Sequence, residues 1–140
     1  MSTAKATLID TNARAGEIFV KEYFYRVYDS SRHELFRFYR EDSVLIWNGN
    51  AKKGLQTLRD FFQQLPPSTH NIQSIDCQPI ADGTESPQAS NIFVVVVGTV
   101  TYAKEDPRHF HETFILAQEP GKGTYYIVND CFRLTTGPAS

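Results

Sequence analysis

Asp130 is the side chain in this sequence best suited to chemistry. The segment Tyr125 to Thr135 reads as a strand, in which alternate residues face opposite sides, so Asp130 falls with Tyr126 and Phe132. An apolar side raises a carboxylate's pKa toward that of a general base, and Tyr126 or Tyr23 would be the hydrogen-bond donor beside it. The plainer alternative is that Asp130 accepts hydrogen bonds or lies near the edge of the sheet. His109 and His111 sit two apart on another strand and point the same way, which would supply two metal ligands. No further Cys, His or carboxylate stands at metal spacing, so no metal site is expected. Cys77 and Cys131 lack CxxC spacing and are expected as reduced, buried thiols. There is no GxSxG, no HExxH and no phosphate-binding glycine loop, so nothing requires a cofactor and the chain is expected to be no enzyme.

The elements that must position these residues follow from periodicity. Ala6, Ile9, Ala13, Gly16, Val20, Phe24 and Val27 recur at steps of three and four, the stripe of a long helix. Ser31 followed by Glu34 has capping-box spacing and predicts a second, shorter helix that buries Leu35, Phe38 and Tyr39. Val44 to Trp47 reads as a strand, and Asn48-Gly49 as a tight hairpin turn. Leu55, Leu58, Phe61, Phe62 and Leu65 repeat at helical spacing until Pro66-Pro67 stops them. Strands are expected at 71–80, 92–103, 109–118 and 125–135, in an antiparallel meander. Gly98 interrupts a β-branched run and predicts a bulge or bend. The connection 81–90 is polar and expected to be mobile.

The 140 residues suffice for one core, with no internal repeat or linker, so a single domain spanning 1–140 is expected. Ten Phe and seven Tyr point to an aromatic interior. A net charge of -2 gives no electrostatic reason to approach nucleic acid or an anionic membrane, so any role with RNA is indirect. The N-terminus lacks the apolar core of a signal peptide, and the longest apolar run, Ile92 to Val97, is too short to span a bilayer. A soluble intracellular protein is expected.

Helices first and strands second give an α+β domain with helices on one face of an antiparallel sheet. The strands nevertheless look apolar on both sides. Phe93, Val95 and Val97 oppose Val94 and Val96, Phe110, Phe114 and Leu116 oppose His111, Thr113, Ile115 and Ala117, and Tyr126, Val128, Phe132 and Leu134 oppose Tyr125, Ile127, Cys131 and Arg133. One helix layer covers one face, so the sequence predicts a partner on the other. The side holding Arg133 is the better interface candidate, because arginine suits interfacial ion pairs. The competing expectation is a sheet curled enough to bury both faces by itself.

Trp47-Asn48-Gly49-Asn50, Leu65-Pro66-Pro67-Ser68, Asp76-Cys77-Gln78-Pro79-Ile80 and Asn129-Asp130-Cys131-Phe132-Arg133-Leu134 resemble motifs of the nuclear transport factor 2-related export proteins, in the same order over nearly the whole chain. The resemblance implies a cone-shaped nuclear transport factor 2-like fold, with N-terminal helices packed on a strongly bent antiparallel sheet. It implies a heterodimer with the similarly folded domain of the large mRNA export receptor. The interface would include Val95, Val97, Thr113, Ile115, Tyr125, Cys131 and Arg133, with Arg133 facing a partner carboxylate. Contact with nucleoporins and RNA would come through the complex, which shuttles between nucleus and cytoplasm through the nuclear pore, with no membrane involved. Glu105-Asp106-Pro107, Phe110-His111 and Asn129-Asp130 also resemble the homodimeric founding member, an importer of Ran-GDP. Asn48 and Lys104 depart from the acidic residues of that importer and weigh against Ran binding. A third alternative is an isomerase or dehydratase working inside the cone.

Overall fold

The structure is a computed structural model that describes residues 3–80, 91–119 and 121–135, with side chains from Thr11 onward. The connection 81–90, expected to be polar and mobile, lies outside the described residues. Helical residues come first, as α1 (Thr3–Ile18), a π-helical stretch (Phe19–Phe24), α2 (Tyr25–Ser30) and a 3-10 stretch (Arg32–Phe38). The strands β1 (Tyr39–Trp47) and β2 (Asn50–Lys53) form a hairpin, and α3 (Leu55–Gln64) follows. Then come β3 (Ser68–Ile80), β4 (Asn91–Tyr102), β5 (Arg108–Gln118) and β6 (Tyr125–Leu134). The hairpin turn is as expected, with both Asn48 and Gly49 at positive φ.

All six strands join one sheet in the order β2-β1-β6-β5-β4-β3. It is a mixed sheet, which corrects the antiparallel expectation, because β1 runs parallel to β6. The two strands are neighbours without being joined by a turn, and residue alternation says nothing about the direction of a neighbour that arrives from elsewhere in the chain. The capping box also fails. Ser31 makes no side-chain cap, and the turn is held by the Glu34 N–H donating to the Ser31 carbonyl at 2.8 Å. Arg32 anchors this corner instead, donating to the carbonyls of Tyr28, Leu65 and Pro66 and to the Ser68 hydroxyl.

The helical layer lies on one face of the sheet and buries a core of aromatic rings. Phe24 meets Phe114 edge-on at 4.9 Å, and Trp47 stacks on Phe132 at 4.2 Å. Of the expected stripe, Ala6 and Ile9 lie outside the residues with described side chains, Gly16, Val20 and Phe24 are buried, and Val27 is half-buried against the core, while Tyr25 and Tyr28 are buried beside it off the stripe. The π turn explains this. The Tyr25 N–H reaches back five residues to the Val20 carbonyl, and the extra residue rotates the buried face.

Register shifts interrupt the ladders between Ile72 and Ser74, between Ile115 and Leu116, and between Tyr39 and Val44. Such irregularities bend a strand and increase its twist. Gly98 sits opposite the first, and the residue left unpaired, Gln73, belongs to the neighbouring strand. A Cβ on Gly98 would stand 2.4 Å from the Asn71 carbonyl oxygen, so only glycine lets the backbones approach. Gly98→Ala is expected to destabilise the fold by about 1 to 3 kcal/mol, the usual range for forced overpacking. Urea unfolding of the two proteins checks this, and an unchanged midpoint would show that the bulge relaxes.

Candidate partner-binding face

The two sides of the sheet differ in what covers them. On the helix side Ile92, Val94, Val96, Val100, Phe110, Phe114, Leu116, Ile127 and Phe132 are buried. On the outer side three rows cross β4, β5 and β6 in register. These are Phe93-Ile115-Asn129, Val95-Thr113-Cys131 and Val97-His111-Arg133. Phe93 and Val97 are each 38% exposed, large apolar side chains left facing solvent among the described residues. Ser74, Asp76 and Gln78 of β3 flank the rows on one side, and Val44 and Ile46 of β1 on the other. The result is a largely apolar patch bounded by polar residues along β3 and at His111 and Arg133, and continuing apolar into β1.

Six of the seven residues expected at an interface, Val95, Val97, Thr113, Ile115, Cys131 and Arg133, therefore share one contiguous patch. Tyr125 does not. The register shift in β6 leaves Val128 unpaired, since Ile115 faces Asn129 while Leu116 faces Ile127. Strict alternation breaks at that point, so Tyr125 and Ile127 turn inward, with Ile127 fully buried and Tyr125 packed against the core. The same bulge separates Asp130 from Tyr126, contrary to the alternation read from sequence. Cys131, expected to be buried, is exposed, and Cys77 is half-buried with burial raising its thiol pKa to about 11. Phe93 was visible in the β4 alternation but was not among the expected contacts. Arg133 is exposed, has no carboxylate partner among the described residues and lies beside the hairpin turn at Gly49. Asn48 serves that turn, its side-chain oxygen accepting the Leu134 N–H at 2.8 Å.

Asp130 does enter a polar cluster, but a sealed one. It is 2% exposed, and its Oδ2 accepts a 2.6 Å hydrogen bond from the Tyr39 hydroxyl. Glu112, equally buried, accepts from the Tyr25 hydroxyl at 2.9 Å. Burial first and the Asp130 charge second push Glu112 far above the usual carboxylate range. Burial raises Asp130 less, because hydrogen bonds from Glu112 and Tyr39 hold it down. Asp130 Oδ1 is buried without an ordinary donor, and the titrating carboxyl beside it is that of Glu112. Burial also pushes the Tyr25 and Tyr39 phenols well above their ordinary value. Glu112 was the missed member, although a charged residue at the position between Phe110 and Phe114 on a core-facing side was its signal. Tyr23 and Tyr126, the donors expected beside Asp130, are not in this cluster. No group of three potential ligands for a metal occurs among the described residues, His109 and His111 included.

A third carboxylate, the half-buried Asp29, is handled differently. Burial would raise Asp29, but His70 Nδ1 at 2.7 Å, the Ser68 hydroxyl and the His70 backbone N–H outweigh it and hold its pKa below the usual value.

One helix layer over a six-stranded mixed sheet, with the outer sheet face left uncovered, defines the α+β architecture of this domain. The nuclear transport factor 2 (NTF2) domain model matches residues 15–134, and the chain belongs to that family. It is 38% identical over 129 residues to NTF2-related export protein 1 of Bos taurus, covering 91% of each chain. Nuclear transport factor 2 of Cryptosporidium parvum superposes with a TM-score of 0.72 at 30% identity, covering 87% of this chain and 93% of that one. A chain of the C. albicans Mtr2-Mex67 M domain complex gives 0.70 at 14% identity, covering 91% and 98%, a likeness of fold alone. No described helix is long and apolar enough to cross a membrane.

The carboxylate cluster makes stability depend on pH. The folded state keeps a proton on Glu112 that the unfolded chain releases, so stability is full below the ordinary glutamate range and falls as pH rises through the elevated folded value. Glu112→Gln is expected to flatten that decline and to match or exceed the parent's stability at neutral and mildly alkaline pH. Chemical denaturation at a series of pH values measures this, and a parent with no decline would mean that both carboxylates ionise freely.

Proposed function

We propose that this chain is the non-enzymatic small subunit of a nuclear export heterodimer, docked through its outer sheet face on the NTF2-like domain of a large mRNA export receptor. The observation that carries the reading is the patch itself, with Phe93, Val95, Val97 and Ile115 at its centre and Arg133, His111, Asp76 and Gln78 around them. Membership of the NTF2 family and 38% identity to a protein named for export support it. In this reading the small subunit stabilises the large one, RNA and nucleoporins are met through the complex, and the pair shuttles between nucleus and cytoplasm.

The importer reading is weaker on electrostatic grounds. A basic GTPase surface needs acidic contacts, whereas Asn48 is neutral and committed to the hairpin, and Lys104 stands among the acids of its loop. An enzymatic reading would need Asp130 open to a substrate, and burial at 2% closes it off.

A pull-down from nuclear extract with the tagged chain tests the proposal: recovery of the large export receptor is expected, and recovery of Ran in its place would reverse it. Arg133→Ala is expected to weaken the receptor complex by about 2 to 5 kcal/mol if its partner charge is desolvated. Phe93→Asp, which places a charge at the centre of the patch, is expected to cost at least about 2 kcal/mol of binding while leaving the fold intact. Calorimetric titration measures both, and unchanged affinity in both variants would move the interface elsewhere.

A further inference from the structure

A groove of about 610 Å³ lies far from the outer face, on the helix side, between the N-terminal helices and the β5–β6 turn. Its walls are Ala15, Ile18, Phe19, Tyr23, Phe38 and Tyr125. Arg37 and Glu119 stand among them, and the volume falls within the range of ordinary small-molecule sites.

Three features distinguish it from a packing gap. First, the helix changes winding here. The π-helical stretch begins at Phe19, and a π turn brings residues four and five apart onto one side, so that Ile18, Phe19 and Tyr23 all contribute to the wall. Second, the wall is unfilled. Ile18 is 52% and Tyr23 55% exposed, the two most exposed large apolar side chains among the described residues. Third, the bulge in β6 delivers Tyr125 to this side as the opposite wall. Two functional surfaces thus come from one chain irregularity, which clears Tyr125 from the outer face and places its ring here.

The charges say what the groove would accept. Glu119 is engaged by Arg40 and by Lys122, and Arg37 has only Glu34, at 3.4 Å. Of the two charged residues lining the groove, Glu119 is thus already held by cations outside it, whereas Arg37, with 69% of its side chain exposed, has donors to spare. The geometry points to a binding site for a small amphiphilic monoanion, with its apolar or aromatic body between Phe19, Tyr23, Phe38 and Tyr125 and its carboxylate on Arg37. The proposal is independent of the heterodimer reading, since it uses the opposite side of the sheet.

Decanoate and decan-1-ol, titrated into the full chain and followed by calorimetry and amide chemical shifts, test it. Saturable one-to-one binding of decanoate is expected, with shifts at Ile18, Phe19, Tyr23 and Tyr125 and weaker binding of the alcohol. Arg37→Glu is expected to weaken decanoate about tenfold or more, the loss of one charge-assisted contact, and to leave the alcohol unchanged. Ile18→Asp, at an exposed position that does not threaten folding, is expected to abolish both. Absence of saturable binding, or binding that survives Ile18→Asp, would overturn the site. Equal affinity for acid and alcohol would overturn the anion assignment.

Discussion

The structure depends on an imbalance between layers: a six-stranded sheet with apolar residues on both faces and helices enough for only one. The covered face is filled by rings in contact from Phe24 through Phe114 and from Trp47 through Phe132 and Phe110. The uncovered face cannot be relieved by the described part of the chain, because α1, α2 and α3 all lie on the same side. Burial of apolar area drives association as it drives folding, so the imbalance favours a second molecule.

The core is not uniformly apolar, and its polar members are arranged to avoid unpaired charge. Glu112 and Asp130 each accept a tyrosine hydroxyl and have raised pKa values, while the half-buried Asp29 is held below its ordinary pKa by His70 and Ser68. Interior carboxylates of the first kind resemble acid-base machinery in their pKa behaviour, but each is only 2% exposed. Asp130 and Glu112 alternate along their strands with Cys131 and Thr113 of the outer patch, so the cluster also fixes the floor on which that patch is built.

Much of this was legible in the residues. The Asn48-Gly49 hairpin, the Leu55 to Leu65 helix and the four long strands follow from period and turn chemistry, and alternation in β4 and β5 puts Val95, Val97, Thr113 and Ile115 on one sheet face, as the structure has them. What failed did so for two reasons. Irregular backbone breaks periodicity without announcing itself, so the Val128 bulge reversed Tyr125, and the π turn added Tyr25 and Tyr28 to the buried face beside Val27. Contacts between distant segments leave no local trace, so neither the parallel pairing of β1 with β6 nor the partnership of Glu112 with Asp130 showed in spacing. Gly98 was read correctly as a bend, although the bulged residue belongs to the next strand.

Hydrogen exchange of this chain, alone and mixed with the NTF2-like domain of a large mRNA export receptor, tests the central claim most directly. The account predicts added protection concentrated in β4, β5 and β6, centred on the residues flanking Val95, Thr113 and Cys131, with little change in the groove formed by α1 and the β5–β6 turn. Protection at the groove alone, or no protection anywhere in the sheet, would contradict it.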